Sequence, residues 1–191
     1  FKEGGIDIYA EKNKDYFITL TPVEQYLVQK QKRIFKGIEN YSDLHRLVFD
    51  IETTGLDPNI HKIILIGLKD NRNFEKVINA FGEDGEKRCI EEFFRTIIDL
   101  NPTIIGGYNS ASFDMPFIEK RAEIVGLDLK ELITKIAGFP LKKKERVLKL
   151  GGEVEGYNQY NLWGFSIIDI AHSVRRAQAI NSDIKGWGLK Y

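Results

Sequence analysis

Residues 46–56, Arg-Leu-Val-Phe-Asp-Ile-Glu-Thr-Thr-Gly-Leu, constrain the fold of this chain more than any other segment. Aromatic and β-branched residues typical of a buried strand lead into two acids, and a glycine and a proline then end the strand. Because side chains alternate between faces along a strand, Asp50 and Glu52 point to one face while Phe49 and Ile51 point to the other. The segment therefore predicts a core strand that presents two neighbouring carboxylates at its end.

Two carboxylates side by side at the end of a buried strand carry an electrostatic cost. Like charges repel, and both groups lose part of their hydration, so the cost must be offset. A divalent cation is one candidate, because Mg²⁺ and Mn²⁺ take hard oxygen ligands and keep coordination positions for water and phosphate. The alternative is an exposed acidic strand end without a ligand, since Asp-x-Glu is a short and common pattern.

Composition restricts the class of protein. The 191 residues, with 42% hydrophobic content, supply the core of one globular domain with or without an N-terminal extension. The net charge of zero argues against a chain held on nucleic acid by a bulk positive field. The single cysteine, Cys89, excludes an internal disulfide framework and suits a reducing compartment. Because no apolar run approaches the length of a membrane span and no signal-peptide pattern opens the chain, we expect a soluble, intracellular protein.

Residues 1–44 are predicted to form an N-terminal lead-in rather than a separate domain. Its clearest element is a helix, for which Thr21 is the N-cap and Glu24 completes a capping box. Gly37 is expected to end this helix. The predicted elements of the lead-in are strand-like runs at 6–9 and 16–20 and a helix at 21–35.

From residue 46 onward the pattern is that of an α/β domain. Three strands joined by short turns come first, which implies antiparallel pairing, and a helix, a strand expected to join in parallel and a second helix follow. This β-β-β-α-β-α order predicts a mixed sheet with helices on both faces, and it differs from the strict alternation of a doubly wound nucleotide-binding fold. A β-hairpin insertion, a last strand and a last helix complete the domain. The predicted strands are 46–52, 62–68, 75–80, 103–106 and 163–169, the helices 86–100, 116–125 and 170–179, and the hairpin lies within 138–162.

A second chemical feature follows the fourth predicted strand. The loop Tyr-Asn-Ser-Ala-Ser-Phe-Asp at residues 108–114 ends in Asp114, just ahead of a helix. An acid in this place can simply cap free amides and meet the positive end of the helix dipole. However, functional residues of open sheets gather at the carboxyl ends of strands, so a fourth strand parallel to the first would bring Asp114 to Asp50 and Glu52. Three converging carboxylates would be costly without a cation.

Taken together, the two segments resemble a known family. Asp50-Ile-Glu52-Thr-Thr-Gly is similar to the first motif of the DEDD 3′–5′ exonucleases. Asn109-x-x-x-Phe113-Asp114 resembles the second motif of the proofreading domain in family B DNA polymerases, and the spacing between the motifs is also similar. The resemblance extends from the first strand of the α/β domain to the end of the chain. It implies an RNase H-like fold and hydrolysis of a 3′-terminal phosphodiester.

The resemblance also implies a site for two metal ions, Mg²⁺ or Mn²⁺. In that site Asp50 would bridge both ions, Glu52 would bind the catalytic ion and orient the attacking water, and Asp114 would complete the shell of the other ion. Two such ions lower the pKa of the attacking water and stabilise the departing 3′-oxygen. The expected catalytic and metal-binding residues are therefore the same three carboxylates.

Four further residues match family positions that line the pocket for the terminal nucleotides: Thr53, Leu56, Asn109 and Phe113. Leu56 and Phe113 would stack on bases or wedge between them, a contact that tolerates any sequence. Phe113 could instead plug the core beneath its loop. Asn109 could instead hold its own loop through an Asx-type turn.

The chain departs from the family pattern in one respect. The family requires a fourth acid, in this subclass within Tyr-x-x-x-Asp on a late helix. Neither Asp169, in a strand-like run, nor Asp183, in a polar stretch, has a tyrosine four residues before it. The third motif is therefore expected beyond residue 191, so that residues 45–191 would be a C-terminally truncated exonuclease domain. Such a fragment would have an incomplete ion site and weak or no activity of its own.

The sequence as a whole predicts the 3′–5′ proofreading exonuclease domain of a DNA polymerase resembling family B. The expected partners are the single-stranded 3′ end of DNA and the polymerase domains of the same full-length chain. We expect a monomer with no membrane contact, located in the cytoplasm of a bacterium or a phage-infected host cell. Two alternatives remain open: a free-standing DEDD exonuclease acting on RNA or single-stranded DNA, and a non-catalytic nucleic-acid-binding module with a degenerate exonuclease fold.

Overall fold

The computed structural model of this chain describes most of its residues: 21–32, 37–150, 152–181, 183–186 and 188. The chain divides into two compact units, Phe1–Asp43 and Leu44–Tyr191. Across the described ranges, each helix is too short or too polar to cross a lipid bilayer.

The first unit contains the helix α1 (Pro22–Gln29), and a short 3-10 turn follows at Tyr41–Asp43. The capping box predicted from the sequence is present: the N–H of Thr21 donates to the Glu24 carboxylate at 2.7 Å, and the N–H of Glu24 donates to Thr21 Oγ1 at 3.3 Å. The predicted helix length is wrong, because α1 ends at Gln29. None of its side chains is buried, so no packing extends the helix beyond what its cap supports. The strand-like runs at 6–9 and 16–20 lie outside the described residues.

The second unit is built on a mixed five-stranded sheet with a separate two-stranded hairpin. Its strands are β1 (Arg46–Thr53), β2 (Ile63–Asp70), β3 (Glu75–Asn79), β4 (Ile104–Gly107), β5 (Lys142–Leu150), β6 (Glu153–Asn161) and β7 (Ser166–Asp169). The main sheet has the order β3-β2-β1-β4-β7. The first three strands pair antiparallel, β4 lies parallel beside β1, and β7 lies parallel beside β4. The predicted α/β fold with a mixed sheet is confirmed.

Helices cover both faces of this sheet, as predicted. They are α2 (Gly85–Leu100), α3 (Asp114–Ile124), α4 (Leu129–Ala137) and α5 (Ile170–Ile180). Helix α2 covers one face, where the rings of Phe49 and Phe93 lie 5.1 Å apart. Helix α5 covers the other face, where a Cβ added to Gly106 would lie 3.2 Å from Ile170 and 3.7 Å from Val48. Since Val48, Asp50 and Glu52 alternate with Phe49 along β1, the two acids lie on the α5 side.

The main core is made of apolar side chains from the sheet and from α2, α3 and α4. Burial of one such leucine, isoleucine or phenylalanine contributes roughly 1.5–3 kcal/mol, which explains why these elements follow the hydrophobic pattern of the sequence. The largest fully buried side chains of this core are Phe93, Phe117, Leu47, Ile66, Ile90, Ile118 and Ile133.

Residues 126–162 contain one predicted and one unpredicted element. The hairpin insertion is present, with β5 and β6 paired antiparallel from Lys142↔Asn161 to Leu150↔Glu153. The sequence patterns above do not predict α4. Its N-cap is Asp128, whose carboxylate accepts the N–H of Glu131 at 2.9 Å, and its two buried residues, Leu132 and Ile133, are adjacent. The signal was nevertheless present in the sequence, because Leu129, Leu132, Ile133, Ile136 and Ala137 recur at helical spacing and pack on the core.

Candidate active site

The carboxyl end of β1 presents the two acids as the alternation predicts. Asp50 and Glu52 are exposed, while Phe49 and Ile51 on the opposite face are only 4% and 6% exposed. The register between β1 and β2 shifts between Glu52 and Thr53. A shift of this kind ends regular pairing and redirects the chain, so the strand stops just after its acidic pair.

Asp114 reaches this end of β1 from a neighbouring strand. Because β4 is parallel to β1, the loop after β4 emerges at the same edge of the sheet. The N–H of Ile51 donates to Asp114 Oδ1 at 3.2 Å, so the Asp114 carboxyl contacts the backbone between Asp50 and Glu52. Asp114 is 3% exposed and is the first residue of α3, which begins two residues before the predicted start at Pro116.

The electrostatic state of Asp114 reflects its surroundings. Burial raises the pKa of its carboxyl to about 6, and the negative charge of Asp50 is the second cause. The hydrogen bond from Ile51 opposes this rise in pKa without cancelling it. Asp114 and Asp50 are therefore electrostatic neighbours, and a bound cation would relieve the repulsion between them.

The side chains are not gathered into a finished metal cage. Within the described residues, no group of three or more His, Cys, Asp or Glu side chains lies close enough together to hold a metal ion. The donors near the carboxyl end of β1 are nevertheless carboxylate oxygens, the hard ligands that Mg²⁺ and Mn²⁺ take. The chemistry of these donors suits a divalent cation, and a site shared by Asp50, Glu52 and Asp114 stays a prediction.

The loop after β1 is held by close local contacts. Thr53 is half-buried, and its hydroxyl donates to the carbonyl of Gly55 at 2.8 Å. A Cβ on Gly55 would lie 2.5 Å from the ring of His61, so a larger residue at this position would require that ring to move. Leu56, the next residue, is 81% exposed. The hydroxyl of Thr53 is thus used within the loop, and the side chain of Leu56 is open to solvent.

The other two predicted substrate residues lie in the loop before α3. Asn109 is exposed and has a left-handed backbone with φ 62°, a conformation that asparagine tolerates better than most residues. Its carbonyl accepts the N–H of Phe113 at 3.0 Å. Phe113 is half-buried against the core, with its ring 5.5 Å from that of Phe117. These contacts give both residues structural roles in the loop, and their contact with nucleotides stays a prediction.

A buried ion pair connects the elements of the site, and the sequence patterns did not indicate it. Arg121 of α3 donates to both carboxylate oxygens of Glu86, at 2.8 and 2.7 Å, and the two residues are 4% and 8% exposed. Arg121 also donates to the carbonyl of Pro58 at 3.1 Å, and Glu86 accepts the N–H of Ile63 at 2.8 Å. The pair therefore joins α2 and α3 to the chain that follows the acids of β1. The available signal was an arginine four positions after Phe117, on the buried face of α3.

The contacts of Asp169 were also not indicated by the sequence. It ends β7 opposite Gly107 of β4 and is 9% exposed. Its carboxylate accepts hydrogen bonds from the N–H groups of Asn109, Ala111 and Ala171, each at 2.9 Å. Its oxygens are thus used by backbone amides.

Comparison with known proteins agrees with this architecture. Residues 66–191 match the sequence profile of the family described as "DNA polymerase family B, exonuclease domain". The matched range includes Asn109 and Asp114 and begins after Asp50 and Glu52. A DNA polymerase of the archaeon Archaeoglobus fulgidus is 26% identical over 84% of the chain. The catalytic subunit of DNA polymerase epsilon from Aspergillus fumigatus is 34% identical over 63% of the chain.

A solved structure shows the same similarity. The family B DNA polymerase of Pyrobaculum calidifontis covers 66% of the chain with a TM-score of 0.50 and 26% sequence identity, which is consistent with the predicted RNase H-like fold. The chain spans only 24% of the Archaeoglobus polymerase, 6% of the Aspergillus polymerase and 15% of the Pyrobaculum chain. Because the family profile matches well over half of its residues, the chain belongs to the exonuclease domain of family B DNA polymerases.

Proposed function

We propose that this domain removes nucleotides from the 3′ end of single-stranded DNA by metal-assisted hydrolysis, as the proofreading activity of a DNA polymerase. The observation that carries the proposal is the contact of the Asp114 carboxylate with the Ile51 amide, between Asp50 and Glu52. The raised pKa of Asp114, caused first by burial and then by the charge of Asp50, means that the ionised carboxylate is costly without a compensating charge. A divalent cation is the simplest ligand that balances that charge.

Asp50, Glu52 and Asp114 would hold Mg²⁺ or Mn²⁺, with two ions in the complete site. When bound, the ions lower the pKa of the attacking water and balance the charge that develops on the phosphate and on the departing 3′-oxygen. Asp50 and Glu52 lie at an exposed strand end, so they would hold the ions where phosphate and water can also approach. Asp114 is buried, so it would contribute its negative charge from the protein interior, and the N–H of Ile51 keeps its carboxylate in place.

The remaining residues would position the nucleic acid. Leu56 offers an exposed apolar side chain next to the acids, suited to contact with a base of any sequence. Asn109 is exposed in the loop before α3, so its amide could donate to phosphate or sugar oxygens. Thr53 and Phe113 would shape the pocket walls, since both are half-buried by local contacts.

The wider context of the domain is also a proposal. The small share of each relative that the chain spans supports polymerase domains in the same full-length chain. Residues 45–191 would form the exonuclease domain behind a lead-in at 1–44, and a fourth acid beyond residue 191 would complete the site. The monomeric state and a cytoplasmic location in a bacterium or phage-infected cell stay predictions.

The test is the digestion of a 5′-labelled single-stranded DNA oligonucleotide by the full-length protein. With Mg²⁺ or Mn²⁺, products should shorten from the 3′ end, and EDTA should stop the reaction. Asp50→Ala combined with Glu52→Ala should abolish digestion. Glu75→Ala, which removes an exposed acid of β3 paired with Lys69, is the matched control and should leave digestion unchanged.

Two outcomes would reject the proposal. If the wild-type protein degrades neither DNA nor RNA with either metal, the domain is a non-catalytic binding module. If a labelled RNA oligonucleotide is degraded much faster than DNA, the free-standing type of exonuclease is the better description.

A further inference from the structure

Asp169 connects the strand β7 to the loop that carries Asn109. Two of its hydrogen bonds leave its own segment: Asn109 N–H donates to Oδ1 and Ala111 N–H donates to Oδ2, each at 2.9 Å. The third, from Ala171 N–H to Oδ1, is an ordinary N-cap of α5. The parallel register, with Asp169 opposite Gly107, places its carboxylate directly beside the start of the loop.

The backbone of this loop is constrained by close packing at its start and by one residue in a left-handed conformation. A Cβ on Gly107 would lie 2.5 Å from the Cβ of Ser110, which is itself 2% exposed. Asn109 is already in the left-handed region. The amides of Asn109 and Ala111 are partly buried at these contacts, and a partly buried N–H without an acceptor costs free energy. Asp169 accepts two of these amides with one side chain.

The position of the loop determines the position of Asp114. The carbonyl of Ser110 accepts the N–H of Met115 at 2.9 Å, and the carbonyl of Asn109 accepts the N–H of Phe113 at 3.0 Å. These bonds fix the residues on either side of Asp114 to the part of the loop that Asp169 holds. Asp114 in turn contacts the amide of Ile51 in β1. Hydrogen bonds and the short backbone segments between them therefore connect Asp169 to the acidic end of β1.

We propose that Asp169 is a positioning residue for the nuclease reaction, which holds the loop at residues 109–113 so that Asp114 reaches the acids of β1. This inference rests on the function proposed above. Asp169 is not a catalytic residue, because both its oxygens are used by backbone amides. A shift of the loop by about 1 Å would misplace Asp114 and lower the rate by on the order of 100-fold.

Asp169→Ser separates this role from simple helix capping. Serine is as good an N-cap as aspartate, so the bond to Ala171 and the start of α5 should persist. One short hydroxyl cannot also accept the amides of Asn109 and Ala111. Asp128→Ser is the matched control, because Asp128 caps α4 through Glu131 N–H with the same chemistry and is exposed.

The experiment uses the full-length protein and two measurements. Amide hydrogen exchange at single-residue resolution should show lost protection at Asn109 and Ala111 in Asp169→Ser, with Ala171 still protected. Digestion of single-stranded DNA should show kcat lowered by about 10–100-fold, because Asp114 is misplaced, with a smaller rise in KM, because the same loop carries Asn109 and Phe113. Asp128→Ser should change neither the amide exchange at Asn109 and Ala111 nor the rate of DNA digestion.

Two results would overturn the inference directly. Unchanged exchange at Asn109 and Ala111, or an unchanged kcat, overturns it. Lost protection throughout α5 would show that Asp169→Ser disturbs the whole helix, so that a lower kcat no longer reports on the loop alone. Asp169→Asn then decides, because its carbonyl oxygen retains the Asn109 and Ala171 bonds and only the Ala111 bond is lost. If Asp169→Asn keeps full kcat, the inference fails. A wild-type protein without nuclease activity defeats the proposed function instead, and the exchange measurement still reports whether the loop is held.

Discussion

The starts of α3 and α5 each carry a buried aspartate, and the two differ in how their charge is balanced. Asp169 accepts three backbone N–H groups, two of them from another loop. Asp114 accepts one amide from β1 and faces the negative charge of Asp50, and its pKa rises to about 6. Residue type and place in the fold are alike. The number of amides within reach decides which carboxylate serves the structure and which retains a need for a cation.

The largest effect is expected from Asp114→Asn, which tests whether Asp114 is the carboxylate left for a ligand. The amide keeps an oxygen for the Ile51 N–H but loses the charge. We expect nuclease activity to fall by more than about 100-fold, because loss of a metal ligand should exceed the effect of an outer-shell partner. Digestion of single-stranded DNA by the full-length protein measures this. If the nuclease activity of Asp114→Asn stays within about threefold of wild type, Asp114 is not a carboxylate that needs a bound metal ion. Asp128→Asn, at an exposed helix cap, is the control.

Arg121→Met extends the comparison to Glu86, a third buried acid, which is balanced by an ion pair. Removing the guanidinium leaves the Glu86 carboxylate buried without its cation and should destabilise the domain by about 3–5 kcal/mol. Chemical denaturation measures the change in the free energy of unfolding. Lys120→Met removes the neighbouring exposed ion pair with Glu123 and should change stability by less than about 1 kcal/mol. Equal effects in the two variants would show that burial of the pair is unimportant.

Asp114→Asn should also change how the free energy of unfolding depends on pH, and this effect is expected to be smaller. The Asp114 carboxyl has a native pKa near 6, above its ordinary value of 3.8, so the native state binds more protons than the unfolded state between these values. Stability without divalent cations should therefore fall as pH rises from about 4 to about 6. Asp114→Asn removes this penalty and should be more stable than wild type by about 1–2 kcal/mol at pH 7. Denaturation at pH 4 and pH 7 in EDTA tests it, and a variant advantage confined to pH 4 would contradict it.

Leu56→Ala should have the smallest effect. Leu56 is 81% exposed, so its truncation should change the free energy of unfolding by less than about 0.5 kcal/mol. If Leu56 contacts a base, KM for single-stranded DNA should rise several-fold, since base stacking is worth about 1–3 kcal/mol and an aliphatic contact less. Steady-state digestion measures this, with Val154→Ala as an exposed apolar control on β6. An unchanged KM would remove Leu56 from the substrate pocket.

Local patterns were sufficient for much of the fold. The alternation in β1 predicted which side chains are buried, and short connections predicted the antiparallel pairing of β1, β2 and β3. The capping box of α1 was confirmed at Thr21 and Glu24 because it depends only on residues three apart. The predicted length of α1 was wrong, because the extent of this helix depends on packing, whereas α4 was missed although its apolar residues recur at helical spacing.

The sequence by itself determined the acidic end of β1, the loop ending in Asp114 and the family to which these residues belong, because each depends on local pattern. Only the tertiary structure determined which buried carboxylates have their negative charge balanced by backbone amides or by a cation. The Arg121–Glu86 pair joins residues 35 positions apart, and the Asp169 bonds span 60 and 58 positions. Burial and amide hydrogen bonds act over ångströms in space, so only the folded chain distinguishes the balanced acid, Asp169, from Asp114.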